Sequence, residues 1–187
     1  MVLEYCPHGS LHHFLRSEAE HKVPITMSLV LRFAVDIARG VHYLHRKQSI
    51  VQRDLKARNI LVDASLNAKV ADFGLSRVMD GDEGKLTACG TPAWTAPEIV
   101  RMQGYTEKVD VYSFGIILWE LITRQEPYDG KKGVQIAYAA AEKGLRPKVP
   151  SFCPEDYAKL MTSCWDDDPD KRPTFDIILE QLFAMKR

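Results

Sequence analysis

Between Glu107 and Thr123 the chain is apolar nearly all round, with Val111, Phe114, Ile116, Ile117, Leu118, Trp119 and Leu121 spread over every face of a helix. A helix without a polar face has to be covered on all sides. The spacing therefore predicts a buried central helix around which the other elements pack. With 187 residues the chain suits one compact unit, or a sizeable piece of a larger one. A hydrophobic fraction of 45% beside 27% charged residues supplies both core and surface, so neither a disulfide framework nor a structural metal is needed.

Further helices are predicted on both sides of the central one. Ser10 is a candidate N-cap for a short helix through about Glu20. From Ser28 to Lys47, Val30, Phe33, Ala34, Ile37, Val41 and Leu44 recur at helical spacing. Leu29, Leu31 and Val35 lie off that face, so this helix is expected to be covered on several sides. Three more helices are predicted near Val134–Lys143, Glu155–Trp165 and Phe175–Lys186. Strand signals are few. Met1–Cys6 reads as the end of a strand, cut off by Pro7 and Gly9. Ile60–Val62 and Ala68–Val70 read as two short strands joined by a turn with Asp63, Ser65 and Asn67. The fold class is mainly α with a small β element.

Charge and targeting signals exclude several functions. The 25 Lys and Arg balance 25 Asp and Glu, which argues against a broadly basic nucleic-acid surface or a polybasic membrane anchor. The strongly apolar run Phe114–Ile122 contains Glu120 and is too short to cross a bilayer. The N-terminus lacks the basic and apolar regions of a signal peptide. Cys6, Cys89, Cys153 and Cys164 form no C-x-x-C pair and read as free thiols, so a cytoplasmic or nuclear setting is expected.

Chemistry gathers around the predicted hairpin. Val51-Gln52-Arg53-Asp54-Leu55-Lys56-Ala57-Arg58-Asn59 leads into its first strand, and Ala71-Asp72-Phe73-Gly74 follows its second. The hairpin should thus bring Asp54, Asn59 and Asp72 to one end of a tiny sheet. Two carboxylates and an amide oxygen are hard ligands that suit Mg²⁺, and Lys56 adds a point charge for phosphate. From Asp72 to Trp94 no periodicity holds, and a stretch of that kind inside a compact unit is usually functional. His8, His12 and His13 with Cys6 match no usual zinc spacing. His42 and His45 read as surface or packed side chains, and Asp166-Asp167-Asp168 as a solvated loop.

R-D-x-x-x-x-N, D-F-G and A-P-E occur here in that order, a coincidence of roughly one in ten thousand by average residue usage. In these motifs the sequence resembles the protein-kinase family, specifically the large C-terminal lobe of its catalytic domain. The resemblance covers residues 1–187, with a catalytic loop at 50–59 and an activation segment at 72–98. Asp110–Gly115 is similar to the start of the family's central helix. Cys164-Trp165 and Asp168-Pro169 through Arg172-Pro173 are similar to the loop between its last two helices.

The resemblance implies ATP and Mg²⁺ as cofactors and a protein as substrate. It makes Asp54 the residue that accepts or orients the hydroxyl proton, with Lys56 beside it, and makes Asn59 and Asp72 the metal ligands. Glu4-Tyr5-Cys6 becomes the hinge whose backbone meets adenine, with Ser10 at the ribose and Leu61 under the base. Arg53 is expected to pair with a phosphate on the activation segment, for which Ser76 and Thr87 are candidates. Glu98 and Arg172 are expected to form a buried bridge whose rupture costs about 3–5 kcal/mol.

Lys56 and Gly90-Thr91-Pro92-Ala93-Trp94 resemble serine/threonine kinases, whereas Ala57-Arg58-Asn59 and Cys164-Trp165 lean toward tyrosine kinases. Together they point to the tyrosine-kinase-like group of serine/threonine kinases. Two departures stand out. The small N-lobe, with its glycine-rich loop and strand lysine, is expected to be missing from this chain. Lys22 and Lys47 fall after the hinge, where neither can replace that lysine. Gln52 stands where the family has histidine; it keeps a donor and an acceptor but lacks a ring to pack on Phe73. The competing readings are a pseudokinase-like binding module and an inactive truncated fragment.

Overall fold

The computed structural model of the chain describes residues 4–17, 22–78, 91–131 and 133–186. Seven α-helices are described: α1 (Leu11–Arg16), α2 (Met27–Lys47), α3 (Pro97–Val100), α4 (Lys108–Thr123), α5 (Gly133–Glu142), α6 (Glu155–Cys164) and α7 (Phe175–Met185). Four short strands, β1 (Ile50–Val51), β2 (Ile60–Val62), β3 (Ala68–Val70) and β4 (Arg77–Val78), make two antiparallel pairs, β1 with β4 and β2 with β3.

The central helix is where the sequence puts it. Every residue of α4 from Val109 to Leu121 is buried. Helix α6 packs against it so closely that a Cβ at Gly115 would stand 2.9 Å from Cys164 Cβ and 3.2 Å from the Met161 carbonyl. On the other side α2 packs on both α4 and α7. Phe175 joins the layers, meeting His45 and Phe114 edge-on at 5.4 Å each. Leu29, Leu31 and Val35 are buried along with the main face of α2. Thr26 caps that helix by accepting the Leu29 N–H, and His45, Arg46 and Lys47 occupy its last turn, where the helix dipole favours cations.

The predicted hairpin forms as read. Asp63 builds its turn by accepting the Ser65 and Asn67 N–H groups, both at 2.9 Å, and the Asn67 side chain at 3.0 Å. These bonds hold the Asp63 carboxyl well below the usual carboxylate range. The Glu98–Arg172 bridge is bidentate at 2.7 and 2.8 Å, with both side chains buried. Arg172 also lies over the Tyr112 ring, and its remaining donors reach the Asp166, Lys108 and Asp167 carbonyls.

Several expectations need correction. Helix α1 ends at Arg16, short of Glu20, which lies outside the described residues. Glu4–Cys6 is not a strand; a turn follows it, closed by Gly9 N–H on the Cys6 carbonyl. Asp166–Asp168 is not simply solvated. Asp167 takes both Arg101 amino groups at 3.1 Å, and Asp168 caps a 3₁₀ turn at Pro169–Lys171. Residues 91–100 hold a 3₁₀ turn at Pro92–Trp94 and the four-residue α3, both started by proline. Thr87 and Cys89 lie outside the described residues. No helix among the described residues is long and apolar enough to cross a membrane.

Candidate active site

The loop from Gln52 to Lys56 has no regular structure, so its shape depends on borrowed hydrogen bonds. Asp110, fully buried in the first turn of α4, provides them. Its Oδ2 accepts the Gln52 N–H at 2.8 Å and its Oδ1 the Arg53 N–H at 2.9 Å. His45 Nε2 lies 2.8 Å from the same Oδ2. Arg53 has φ +62°, a left-handed conformation that a long side chain adopts only when its surroundings impose it. Its guanidinium donates to the Leu75 carbonyl and the Tyr105 hydroxyl.

Gln52 is fully buried and its amide works at both ends. Nε2 donates to the carbonyls of Asp72 (2.8 Å) and Ala71 (3.3 Å), while Oε1 accepts the Asp54 N–H at 2.8 Å. The loop before Asp54 and the segment at Asp72 are thereby tied together. Phe73, half exposed, follows directly.

Three polar groups then fix the Asp54 carboxylate. Oδ1 accepts from Thr91 Oγ1 at 3.0 Å. Oδ2 accepts from Lys56 Nζ at 2.6 Å and from Asn59 Nδ2 at 2.9 Å. Lys56 also reaches Thr91 Oγ1 at 2.7 Å, closing a ring of Asp54, Lys56 and Thr91. Asn59 ends the 3₁₀ turn Ala57–Asn59, just before β2, and is buried. It donates a second time, to the Asp54 carbonyl, leaving its Oδ1 with no donor among the described residues. Its own carbonyl accepts the Ala71 N–H at 2.9 Å, which brings the residue before Asp72 alongside.

Asp72 is exposed, at φ +56°, and its carboxylate accepts only the Gly74 N–H among the described residues. Asn59 Oδ1 and the Asp72 carboxylate are thus hard oxygens with lone pairs to spare, the donor type Mg²⁺ takes.

The other sequence-predicted residues join the hairpin from its far side. Ser10 bridges Leu61 and Val62 donates to the Gly9 carbonyl, so Gly9 and Ser10 run alongside β2, while the Gly9 N–H holds the Cys6 carbonyl. Burial, and then the nearby Glu4 carboxylate, push the Cys6 thiol up, so it stays protonated. The Glu4 side chain turns to Lys69 on β3. Ser76 has its Oγ buried without a partner among the described residues.

Sequence reasoning passed over Asp110, His45 and Glu120 as parts of this architecture. The signal was present: a charged residue on a helix apolar all round has to be paired once buried. Glu120 accepts from the Trp94 indole at 2.8 Å and from Arg16 at 3.3 Å. Burial outweighs both bonds and pushes its carboxyl up to about 7.

The sequence that builds this arrangement is similar to those of known proteins. The family model described as protein tyrosine and serine/threonine kinase matches residues 1–182. The chain belongs to that family. It is 48% identical over 184 residues to the probable serine/threonine-protein kinase drkB of Dictyostelium discoideum, covering 98% of this chain and 26% of that protein. Identity to drkA of the same organism, also named a probable serine/threonine-protein kinase, is 47% over 96% of this chain and 27% of the relative. A putative serine/threonine-protein kinase/receptor of Acanthamoeba polyphaga mimivirus, R818, is 44% identical over 99% of this chain and 11% of its own length. The chain spans about a quarter or less of these kinases.

Proposed function

We propose that residues 1–187 are the hinge and C-lobe of a protein kinase that transfers the γ-phosphate of ATP to serine or threonine hydroxyls of proteins. The observation that carries this reading is the closed ring of Asp54, Lys56 and Thr91. It leaves a carboxylate oriented by three donors beside a lysine, at the mouth of a pair of free hard oxygens. In this reading Asp54 accepts or orients the proton of the substrate hydroxyl. Lys56 sits beside it and faces the transferred phosphoryl group. Asn59 Oδ1 and Asp72 would hold Mg²⁺, which neutralises phosphate charge when bound. The Glu4–Cys6 backbone, Ser10 and Leu61 would line the nucleotide. A lysine bonded to both Asp54 and a threonine favours serine/threonine acceptors over tyrosine, in line with the names of the relatives.

The activation segment is proposed to run from 72 to 98, with Arg53 receiving a phosphate placed there. The glycine-rich loop and its lysine would come from a lobe outside residues 1–187. These residues alone are therefore expected to bind ATP very weakly and to give no turnover. Radiolabel transfer by them to a generic basic substrate, abolished by Asp54→Asn, would overturn that expectation.

With the small lobe in place, Asp54→Asn should lower kcat by about 10²–10⁴-fold while sparing nucleotide affinity. Asp72→Asn should weaken Mg-dependent nucleotide binding as well. Equal effects of the two changes on nucleotide affinity, or transfer to tyrosine peptides alone, would refute the assignment.

A further inference from the structure

Helix α5 carries two apolar faces, and only one of them is used. Ile136 and Ala140 point into the protein and are buried. On the opposite side Val134 is 81% exposed and Tyr138, one turn later, 59% exposed. Together with Ala139 and Leu145 they line a groove of about 500 Å³. A single exposed apolar side chain is ordinary, but a valine and a tyrosine one turn apart over a groove form a contact patch.

The rim of that groove is basic. Lys131 and Lys143 line its two ends, and neither has an ion pair among the described residues. The carboxylate nearest in sequence, Glu142, is not among the lining residues and contributes instead to the field at Arg101. Lys131 also sits just before the N-terminus of α5, where the helix dipole disfavours a cation, so helix stability does not explain it. The ten-residue helix between the lysines is about 15 Å long, the span of five or six extended residues.

Its position links the groove to the active site. Gly133, the first residue of α5, packs on Pro92, where a Cβ would come within 3.1 Å of Cγ. Pro92 directly follows Thr91, the residue bonded to Asp54 and Lys56.

We infer that the Lys131–Leu145 groove docks an extended segment of a protein partner, with an apolar or aromatic side chain at its centre and acidic residues at both ends. The central side chain packs on Val134 and Tyr138, and the carboxylates pair with Lys131 and Lys143. This is a binding property and stands whether or not residues 1–187 turn over ATP.

The test is fluorescence anisotropy with residues 1–187 and a labelled peptide in which a leucine–phenylalanine pair is flanked on each side by two glutamates. The acidic peptide is expected to bind at least about tenfold more tightly than its lysine-flanked counterpart, and to weaken as salt rises. Val134→Asp and Lys143→Glu, both at exposed positions, should each weaken it by about tenfold or more, with circular dichroism melting unchanged. Phe152→Asp, at another exposed aromatic, should leave it intact. Equal binding of acidic and basic peptides, or wild-type binding by both groove variants, overturns the inference. A dimer in sedimentation velocity that Val134→Asp dissolves overturns it as well, by giving the groove to a second copy of the chain.

Discussion

Replacing Gln52 by leucine keeps the volume of a fully buried side chain and deletes both ends of its amide. The structure sets the cost. The Asp54 N–H loses a 2.8 Å acceptor in a half-buried site, and the Asp72 and Ala71 carbonyls lose donors at 2.8 and 3.3 Å. Each net hydrogen bond contributes about 1 kcal/mol, and a buried N–H left alone costs about 1–3 kcal/mol. Because Asp72 is exposed, water can take over at its carbonyl, so the Asp54 N–H dominates. Leucine regains about 1 kcal/mol by apolar burial. The net loss is about 2–3 kcal/mol, or a fall in Tm of about 5–10 °C for a chain of this size. Trp94, Trp119 and Trp165 are buried and report unfolding by fluorescence in a urea titration. Histidine at the same position offers two ring nitrogens for three partners, so Gln52→His should lose part of this stability. A leucine variant as stable as wild type would show that the amide ties nothing down, and the account of the loop would fail with it.

Two further outcomes follow from the core. Gly115→Ala adds a methyl group 2.9 Å from Cys164 Cβ and should destabilise by about 2 kcal/mol, although alanine favours a helix by about 1 kcal/mol; a urea midpoint at or above wild type would refute the tight α4–α6 contact. Glu120 has its carboxyl raised from 4.5 to about 7, so the folded state holds the proton more firmly than the unfolded one, and the group's contribution is lost as pH rises from about 4.5 to 7. Glu120→Gln keeps an acceptor for Trp94 without the ionisation, so its stability relative to wild type should grow by about 3 kcal/mol across that window; a difference that stays constant between pH 4.5 and 8 would refute it.

Elements that announce themselves locally were legible in the sequence. The all-apolar run gives α4, the 3.6-residue period gives α2, and the Asp63–Asn67 turn chemistry gives the β2–β3 hairpin. The β1–β4 pair was not legible, because two-residue strands have no period and Ile50 meets Val78 across 28 positions. Helix α3, only four residues long, is shorter than any repeat that could reveal it. Asp54, Lys56, Asn59 and Asp72 stood out as a set because motifs of fixed spacing carry them. What holds them did not, since the supports come from far away in sequence: Asp110 lies 58 positions from Gln52 and Thr91 lies 37 from Asp54.

Those supports share an origin in α4. Its polar residues stand out against the apolar run, and three of them bond to the segments that carry the site. At the N-terminal end Asp110 sets the backbone of Gln52 and Arg53, where the helix dipole favours a carboxylate. One turn along, Ser113 Oγ donates to the Trp94 carbonyl at 2.7 Å. Toward the C-terminal end Glu120 accepts the Trp94 indole N–H. Asp54 lies on the first of these segments, and Thr91 opens the turn that contains Trp94. An irregular loop and a short 3₁₀ turn thus take their relative position from one rigid helix, buried from Val109 to Leu121. An apolar residue at any of the three positions would strand the backbone or indole groups now paired there. Only a polar one can transmit the rigidity of that core to the ring of Asp54, Lys56 and Thr91.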